Sequence, residues 1–286
     1  MNVEEKLCRD LIASMELGVN PWRKPWNSEQ GQHRNPLSGA IYSGANPIVL
    51  ELAMSIRGTD IPLWCGFGQA KARGWYPRKG SKGALILRPE IHKREEIDES
   101  GEKTEFVWTS YKAANVFSFA DLEGDGLSSF IDQALGDVTL RPEPVRLEAA
   151  EAVLDTWEVR PKFGGSRAFY QPSSDTICLP TRAKFDSAAA FISTWSHECI
   201  HSTGHKLRLN RDLSGPMGTT SYAREELVAE LGAFLFCRRL EVNSCPDNHA
   251  AYLSHWVEML REEPRILLKI LSDARKAADL IIKRDE

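Results

Sequence analysis

The sequence lacks the marks of a secreted or membrane-inserted protein. Its 286 residues include six cysteines, which are scattered and form no Cys-x-x-Cys pair, so no disulfide framework is indicated. The N-terminus has no signal-peptide pattern, and no apolar run approaches the length of about 18 residues that a membrane helix needs. We therefore expect a reduced, cytoplasmic protein that does not enter a membrane.

An excess of positive charge is also absent. The formal net charge is −4, which argues against nucleic-acid binding over the whole surface, although an average can hide a local patch. The apolar fraction of 42% and the charged fraction of 27% are typical of a globular protein. The length favours two domains of ordinary size.

Helical and strand-like segments predict an α+β protein in two parts. Residues 1–125 are expected to form a mixed α/β domain, and residues 146–286 a mainly helical domain with a small sheet. Residues 126–145 contain glycine and proline and show little periodicity, so we place the linker there. The highly charged segment 90–105 is expected to be an exposed hairpin.

The stretch "FISTWSHECIHSTGHKL" contains the motif HExxH. On a helix, His197 and His201 lie one turn apart on the same face, so both imidazoles can reach one ion. Glu198 is placed to polarise a water on that ion rather than to bind the ion itself. The motif alone is common by chance, so an ordinary helix is the alternative.

A zinc hydrolase usually has a third protein ligand and one open position. His205 follows too closely for metzincin spacing, whereas "AREELVAELGA" offers Glu226 and Glu230; a solvated acidic stripe is the plain alternative. HExxH followed by ExxxE is similar to the gluzincin plan. That resemblance implies Glu226 as the third ligand and Glu230 as a carboxylate orienting a ligand histidine, with Glu225 the other candidate ligand. Zinc is the default ion for such ligands, and manganese or cobalt could replace it.

Two further features could complete a peptidase cleft. The predicted strand "DTICLP", from Asp175 to Pro180, could pair with the backbone of an extended peptide, or could be a plain core strand. Tyr222 and His205 are close in sequence to the motif, and either could stabilise the oxyanion formed when a peptide carbonyl is attacked. The sequence ranks neither.

The first half concentrates cations beside aromatic rings. Between Ile61 and Pro89 there are six basic residues, no acidic residue and several interleaved aromatic residues, and "PWRKPW" repeats the combination. Phosphates would take the charges and unstacked bases the rings, which suits single-stranded nucleic acid; core aromatics and plain surface charge are the alternative. The predicted contact residues are Trp22, Arg23, Lys24, Trp26, Lys71, Arg73, Trp75, Arg78, Lys79 and Lys82.

Both halves resemble one known family. "PWRKPW", "NPLSGAIYSGAN", "FGQAKARGWYPRKGSKGALIL" and "NVFSFADLEG" are similar to the N-terminal domain of ArdC-type antirestriction proteins. "AFYQPSSDTICLP", "WSHECIHSTGHKLRL" and "YAREELVAELGAFL" are similar to the zincin-like metallopeptidase domain that follows it. The resemblance implies a single-stranded-DNA-binding domain fused to a metallopeptidase fold, which protects incoming plasmid or phage DNA from host restriction.

Three other functions stay open at this stage. The protein could be a DNA-binding protein whose zinc is only structural. It could be a DNA-tethered protease that acts on DNA-bound proteins, a host restriction enzyme among them. It could also be an effector peptidase that the first domain merely delivers.

Overall fold

The computed structural model describes residues 3–16, 31–97, 103–136, 141–216, 218–243 and 253–282. Within these ranges the chain forms nine α-helices: α1 Val3–Glu16, α2 Asn46–Arg57, α3 Phe67–Ala72, α4 Leu127–Gly136, α5 Glu143–Asp155, α6 Ala188–Thr203, α7 Thr220–Arg239, α8 Leu253–Glu262 and α9 Ile266–Ile282. The second half is mainly helical, as the sequence predicts.

The described strands are β1 Arg34–Asn35, β2 Ala40–Ile41, β3 Trp64–Cys65, β4 Tyr76–Pro77, β5 Ala84–Ile97, β6 Lys103–Ser118, β7 Leu122–Glu123, β8 Pro161–Phe163, β9 Phe169–Gln171 and β10 Thr176–Leu179. They form four small sheets with the orders β1-β2, β3-β6-β5, β4-β7 and β8-β10-β9. The predicted combination of a mixed α/β first half and a helical second half with a small sheet is confirmed.

Strands β5 and β6 form a long antiparallel hairpin. Its register runs from the pair Ala84 and Val116 to the pair Ile97 and Lys103. Ala84 and Val116, at its base, are buried, whereas Ile91 is 68% exposed. The distal part of the hairpin therefore extends away from the core, which agrees with the exposed hairpin expected over residues 90–105.

One hydrophobic core connects the beginning of the chain with its second half. In α1, Cys8, Leu11 and Met15 recur at helical spacing and are buried in the same cluster as the apolar side chains of α6, α7 and α9. Val49 and Leu52 of α2 join this cluster. The division into residues 1–125 and 146–286 stays a prediction, but α1 and α2 pack with the second part.

A buried polar network in the first half lies next to α7 of the second. Glu51 of α2 lies 3.0 Å from His33 Nε2, and the indole of Trp64 donates to His33 Nδ1 at 3.1 Å. Burial, with a contribution from the nearby Arg238 of α7, lowers the pKa of His33 well below its usual value. His33 is therefore neutral at pH 7, with Nε2–H donating to Glu51.

Helix α4 occupies much of the segment predicted to be a linker. Its Leu127 and Ala134 are buried in a cluster with Phe119, and Phe130 stacks on Phe119 with ring centroids 5.8 Å apart. Apolar side chains at helical spacing dock this helix on the first half. The glycines and prolines that suggested a linker lie mostly outside the helix, where they end or begin elements.

Candidate metal centre and nucleic-acid surface

Helix α6 carries the HExxH motif. The helix begins after Ser187, whose hydroxyl accepts a hydrogen bond from the Ala190 N–H at 3.0 Å and so caps its N-terminus. Helix α7 packs closely on α6 at Gly232, where an added Cβ would lie 2.8 Å from a side-chain carbon of Ile200. This close approach brings the acidic residues of α7 to the histidines of α6.

Three predicted ligands converge on one point. The Nε2 atoms of His197 and His201 are 3.1 Å apart. The carboxylate of Glu226 places Oε2 3.7 Å from His197 Nε2 and Oε1 3.5 Å from His201 Nε2. Ligand atoms about 2 Å from a tetrahedral ion are roughly 3.3 Å from one another. The three side chains therefore have the separations that one divalent cation requires.

Each imidazole has a carboxylate behind it. Nδ1 of His201 lies 3.2 Å from Glu225 Oε1, and Nδ1 of His197 lies 3.6 Å from Glu230 Oε1. A histidine that donates from Nδ1 keeps the lone pair on Nε2 for a metal. Glu230 therefore lies behind His197, and Glu225 lies in the equivalent position behind His201.

Arg211, which the sequence reasoning missed, engages Glu225. Its Nε and Nη2 donate to the two oxygens of Glu225 at 2.9 and 2.7 Å, and its Nη1 and Nη2 also donate to Thr203 Oγ1 at 2.7 Å and to the Ile200 carbonyl at 2.8 Å. Both carboxylate oxygens of Glu225 are thus occupied, which favours Glu226 over Glu225 as the third ligand. Arg211 lies in a polar loop, where no periodicity marks one arginine out from another.

The site is electrostatically suited to a cation. Burial lowers the pKa of His201, but its hydrogen bond to Glu225 and the negative charges of Glu226, Glu225 and Glu198 outweigh burial and raise the pKa to about 9. Burial raises the pKa of Glu225, but Arg211 and His201 together bring it below its usual value. Carboxylates that favour an imidazolium would also favour a metal cation.

The three ligands line a cavity of about 350 Å³ that Glu198 and Tyr222 also line. Glu198 is 6% exposed. His205, the other residue considered for the oxyanion, is not among the lining residues. The position of Tyr222 on the cavity wall ranks it above His205 for that role.

The strand beside the cavity is not the one predicted. Strand β10, which contains most of "DTICLP", lies between β8 and β9 and pairs with both. Its backbone groups are therefore occupied, and it cannot pair with a peptide. Strand β9 is one of the two edge strands of this sheet, and its Phe169 and Tyr170 line the cavity. Order in a sheet depends on distant pairing, which local sequence does not reveal.

The predicted nucleic-acid residues fall into three groups. Trp22, Arg23, Lys24 and Trp26 lie outside the described residues. The five described cations Lys71, Arg73, Arg78, Lys79 and Lys82 are all exposed. Two aromatic side chains beside them are also accessible, because Phe67 and Tyr76 are each 47% exposed.

Trp75 is a correction to the predicted set. Its side chain is 4% exposed, its indole N–H donates to the Asp125 carbonyl at 3.0 Å, and its ring packs against Phe119 and Phe130 at centroid distances of 5.9 and 5.0 Å. A ring buried in this way cannot stack on a base. The neighbouring Tyr76 points outward instead.

Comparison with known proteins identifies the family. A model described as the N-terminal domain of anti-restriction factor ArdC matches residues 1–117, and a model described as a zincin-like metallopeptidase matches residues 148–273. The fold superposes on the metal-free crystal structure of antirestriction ArdC from plasmid R388 with a TM-score of 0.71 and 32% identity, over 98% of this chain and 97% of that one. This chain belongs to the ArdC antirestriction family.

A second structure and three related sequences extend the comparison. The Mn(II)-bound R388 ArdC structure matches with a TM-score of 0.71 and 30% identity over the whole of both chains. The uncharacterized protein y4eC of Sinorhizobium fredii is 31% identical over 97% of this chain and 91% of its own length. Two Escherichia coli proteins named DNA primase TraC are 32% identical over 97% of this chain, which spans only 20% and 27% of their lengths.

Among the described residues, none of the helices combines the length and the apolar character needed to cross a bilayer.

Proposed function

We propose that this ArdC family member binds single-stranded DNA and carries a metal-dependent peptidase site, and that it protects incoming plasmid or phage DNA from restriction in the cytoplasm. The observation that carries the peptidase assignment is the convergence of two Nε2 atoms and one carboxylate, from His197, His201 and Glu226, beside Glu198 in a cleft that the edge strand β9 borders.

A divalent cation fits this donor set. Two neutral imidazoles and one carboxylate suit zinc best, and they also accept manganese or cobalt. The relative crystallised with Mn(II) supports a divalent ion in this family. When bound, such an ion lowers the pKa of a water and polarises a peptide carbonyl.

The chain's own groups would perform the remaining steps. The Glu198 carboxylate takes a proton from the attacking water and passes it to the leaving amine. The edge strand β9 pairs with the backbone of an extended substrate and aligns its carbonyl. The hydroxyl of Tyr222 donates to the oxyanion as it forms. Glu225 and Glu230 keep the two histidines in the required orientation.

Single-stranded DNA would lie on the cationic face of the first half. Lys71, Arg73, Lys79 and Lys82 are exposed, and Phe67 and Tyr76, which are close to them in sequence, are exposed aromatic residues. Cations neutralise phosphates, and rings stack on unpaired bases. The match to proteins named DNA primase supports DNA as the partner.

A second candidate function is a DNA-tethered protease that cleaves proteins bound to DNA, a host restriction enzyme among them. The shared core favours it, because α2 of the first half packs against α7, the helix that carries Glu226, and belongs to the same hydrophobic cluster as α6. Because the two halves share a core, the DNA and the protein substrate would then be held at a fixed distance from each other.

The test combines three measurements on the full chain and on Glu198→Gln. We expect one divalent ion per chain in both proteins, salt-sensitive preference for single strands over duplex in both, and peptide hydrolysis only with Glu198 present. DNA-stimulated cleavage would select the tethered protease. Full antirestriction by Glu198→Gln in cells would show that DNA binding alone protects the incoming DNA. If the full chain does not bind single strands, the proposed function is wrong.

A further inference from the structure

Three polar side chains, Tyr170, Asp175 and Arg208, form a cluster beside the metal cleft, the cavity of about 350 Å³ that the three proposed ligands line. Tyr170 belongs to the edge strand β9 and lines the cleft. Asp175 lies in the turn from β9 into β10, with a left-handed φ of 45° that aspartate adopts more readily than most residues. Arg208 lies in the loop after α6. The cluster therefore joins the edge strand to the loop that follows the HExxH helix.

Arg208 binds the carboxylate of Asp175 with two nitrogens. Its Nη1 donates to Oδ2 at 3.1 Å, and its Nη2 donates to Oδ1. The hydroxyl of Tyr170 donates to the same Oδ1 at 2.7 Å. A pair of parallel N–H···O bonds fixes the orientation of a carboxylate as well as its position. One guanidinium thus holds the turn after β9 and, through Asp175, the central residue of that strand.

The other contacts of Arg208 reach α6. Its Nε donates to the carbonyl of Ser202 at 2.7 Å, and Ser202 follows the proposed ligand His201 in the last turn of the helix. The guanidinium lies 5.9 Å from the ring centre of Trp157, whose indole N–H donates to Ser202 Oγ at 2.8 Å. The side chain of Arg208 is 8% exposed, so its bonds are stronger than those of a surface pair. Arg208 therefore connects the edge strand to the residue beside a metal ligand.

The protonation states in the cluster are fixed near pH 7. Hydrogen bonds from Arg208 lower the pKa of Asp175, against a smaller rise caused by burial. Burial, and then the hydrogen bond to Asp175 and its charge, raise the pKa of Tyr170. Tyr170 is therefore a neutral donor to an ionised carboxylate. Because its O–H is directed at Asp175, its ring forms cleft wall and its hydroxyl is not available to an oxyanion.

Strand β9 depends on contacts outside its sheet because it is short. It has three residues and pairs only with β10, through the pairs Gln171 and Thr176, Tyr170 and Ile177, and Phe169 and Cys178. Strands of this length contribute little stability on their own. The segment before β9 contains Gly164 and Gly165, both with positive φ, and glycine restrains the backbone less than other residues do. Side chains that link β9 to α6 therefore have to set its position.

We propose that Arg208 is a positioning residue, which holds β9 at the distance from the metal ligands where an extended peptide can pair with the strand and present its carbonyl. Arg208 itself contacts neither the peptide nor the ion. The inference rests on the proposed peptidase function and narrows its substrate to peptides long enough to pair along β9. A misplacement of about 1 Å can lower a rate by about 10²-fold. Loss of Arg208 should therefore impair cleavage of long peptides and spare short ones.

The dependence on peptide length tests this role. Two quenched fluorescent peptides share one cleavable centre, taken from the fragments that the unaltered protein releases from unfolded casein. The short peptide ends before it can pair with β9, and the long one spans the strand. Arg208→Met should lower kcat/KM for the long peptide by about 10- to 100-fold and leave the short peptide nearly unaffected. Equal losses for both peptides would contradict the positioning role.

Arg182→Met is the matched control. Like Arg208, Arg182 pairs with a glutamate, Glu151, and lies over an aromatic ring, that of Phe191, at 5.4 Å. Arg182 is not among the residues that line the metal cleft. The variant should cleave both peptides as the unaltered protein does.

A milder variant, Tyr170→Phe, keeps the test decisive if Arg208→Met does not fold. It retains the ring on the cleft wall and removes only the hydroxyl that donates to Asp175. It should reduce the preference for the long peptide severalfold and leave the short peptide unaffected. If kcat falls equally for both peptides, the hydroxyl acts on the reacting carbonyl, and the cluster does not act by positioning.

Two further measurements need no turnover. In competition with a chelating dye, Arg208→Met should bind metal as the unaltered protein does, because Arg208 reaches α6 through a backbone carbonyl and not through a ligand side chain. Hydrogen exchange followed by mass spectrometry should show faster exchange in β9 and β10 of this variant and unchanged exchange in α6 and α7. Weaker metal binding with unchanged exchange in β9 would place the effect at His201 and overturn the proposal.

The outcomes separate this inference from the proposed function. If the unaltered protein prefers the long peptide and Arg208→Met keeps that preference, the positioning role is wrong and the peptidase stands. If the unaltered protein cleaves both peptides equally well, β9 does not guide the substrate and the role is again wrong. If the unaltered protein with bound metal cleaves no peptide, both the peptidase and this role are wrong.

Discussion

Arg211 donates to both carboxylate oxygens of Glu225, and Glu225 in turn lies 3.2 Å from Nδ1 of His201, a proposed metal ligand. The arginine belongs to the loop between α6 and α7, whose residues Asp212, Leu213 and Gly215 line the metal cleft. One wall of the cleft is thereby connected to the orientation of a metal ligand.

Arg211→Met should weaken metal binding by about 10- to 100-fold, because Glu225 loses its anchor and His201 its fixed orientation. Competition with a chelating dye would measure this. Arg224→Met is a suitable control, since Arg224 pairs with Asp273 at 3.1 Å near the same loop. Because Arg211 acts through Glu225, adding Glu225→Gln to Arg211→Met should lower the metal affinity little further. If the two losses of affinity multiply instead, Arg211 does not act through Glu225.

The two neighbouring glutamates should differ when they are removed. Glu226→Ala takes away a ligand, so stoichiometric metal should be lost on gel filtration. Glu225→Ala takes away the partner of His201 and should retain metal with reduced affinity. Elemental analysis of both variants decides which glutamate is the ligand. If Glu225→Ala loses the metal and Glu226→Ala retains it, Glu225 is the ligand.

Gly232→Val should destabilise the protein by about 1–3 kcal/mol, because helices α6 and α7 touch at this point. An added Cβ would meet Cγ2 and Cδ1 of Ile200 at 2.8 and 2.9 Å. Urea unfolding monitored by circular dichroism would give the change in the free energy of unfolding. The pair Gly232→Val with Ile200→Ala should recover part of the loss, and a Gly232→Val protein of full stability would show that the helices can separate at no cost.

Two adjacent aromatic residues should respond in opposite ways. Trp75→Leu should lower stability by about 3 kcal/mol because it leaves a cavity in the core and removes the hydrogen bond to the Asp125 carbonyl. Tyr76→Leu should leave the thermal midpoint nearly unchanged and weaken single-strand binding severalfold. Normal stability with impaired DNA binding in Trp75→Leu would restore that residue to the DNA surface.

A chain that begins at residue 141 should be less stable than the full chain. It lacks α1 and α2, whose buried side chains, among them Leu11, Met15 and Leu52, pack on the second half. Burial of each such side chain stabilises the folded state by about 1.5–3 kcal/mol. Calorimetry and binding of a hydrophobic dye would report the exposed apolar face. An unchanged melting transition would establish the second half as an independent domain.

The sequence predicted those features of the site that depend on residues close together in the chain. His197 and His201 share a helix face by spacing alone, so their pairing could be inferred. Glu226 was predicted as a ligand from the resemblance to the gluzincin plan, and its carboxylate oxygens lie close to the same two imidazoles. The burial of Trp75 and the central place of β10 depend on which elements pack together, and neither is written in the neighbouring residues.

Helix α1 lies against α8, and Cys8 Sγ is 3.1 Å from the Pro264 carbonyl oxygen. The first and last parts of the described chain are therefore neighbours in space. A fold closed in this manner tolerates circular permutation and insertion between other domains. A match that covers 97% of this chain and 20% of a much longer protein named DNA primase TraC fits such an insertion in that protein.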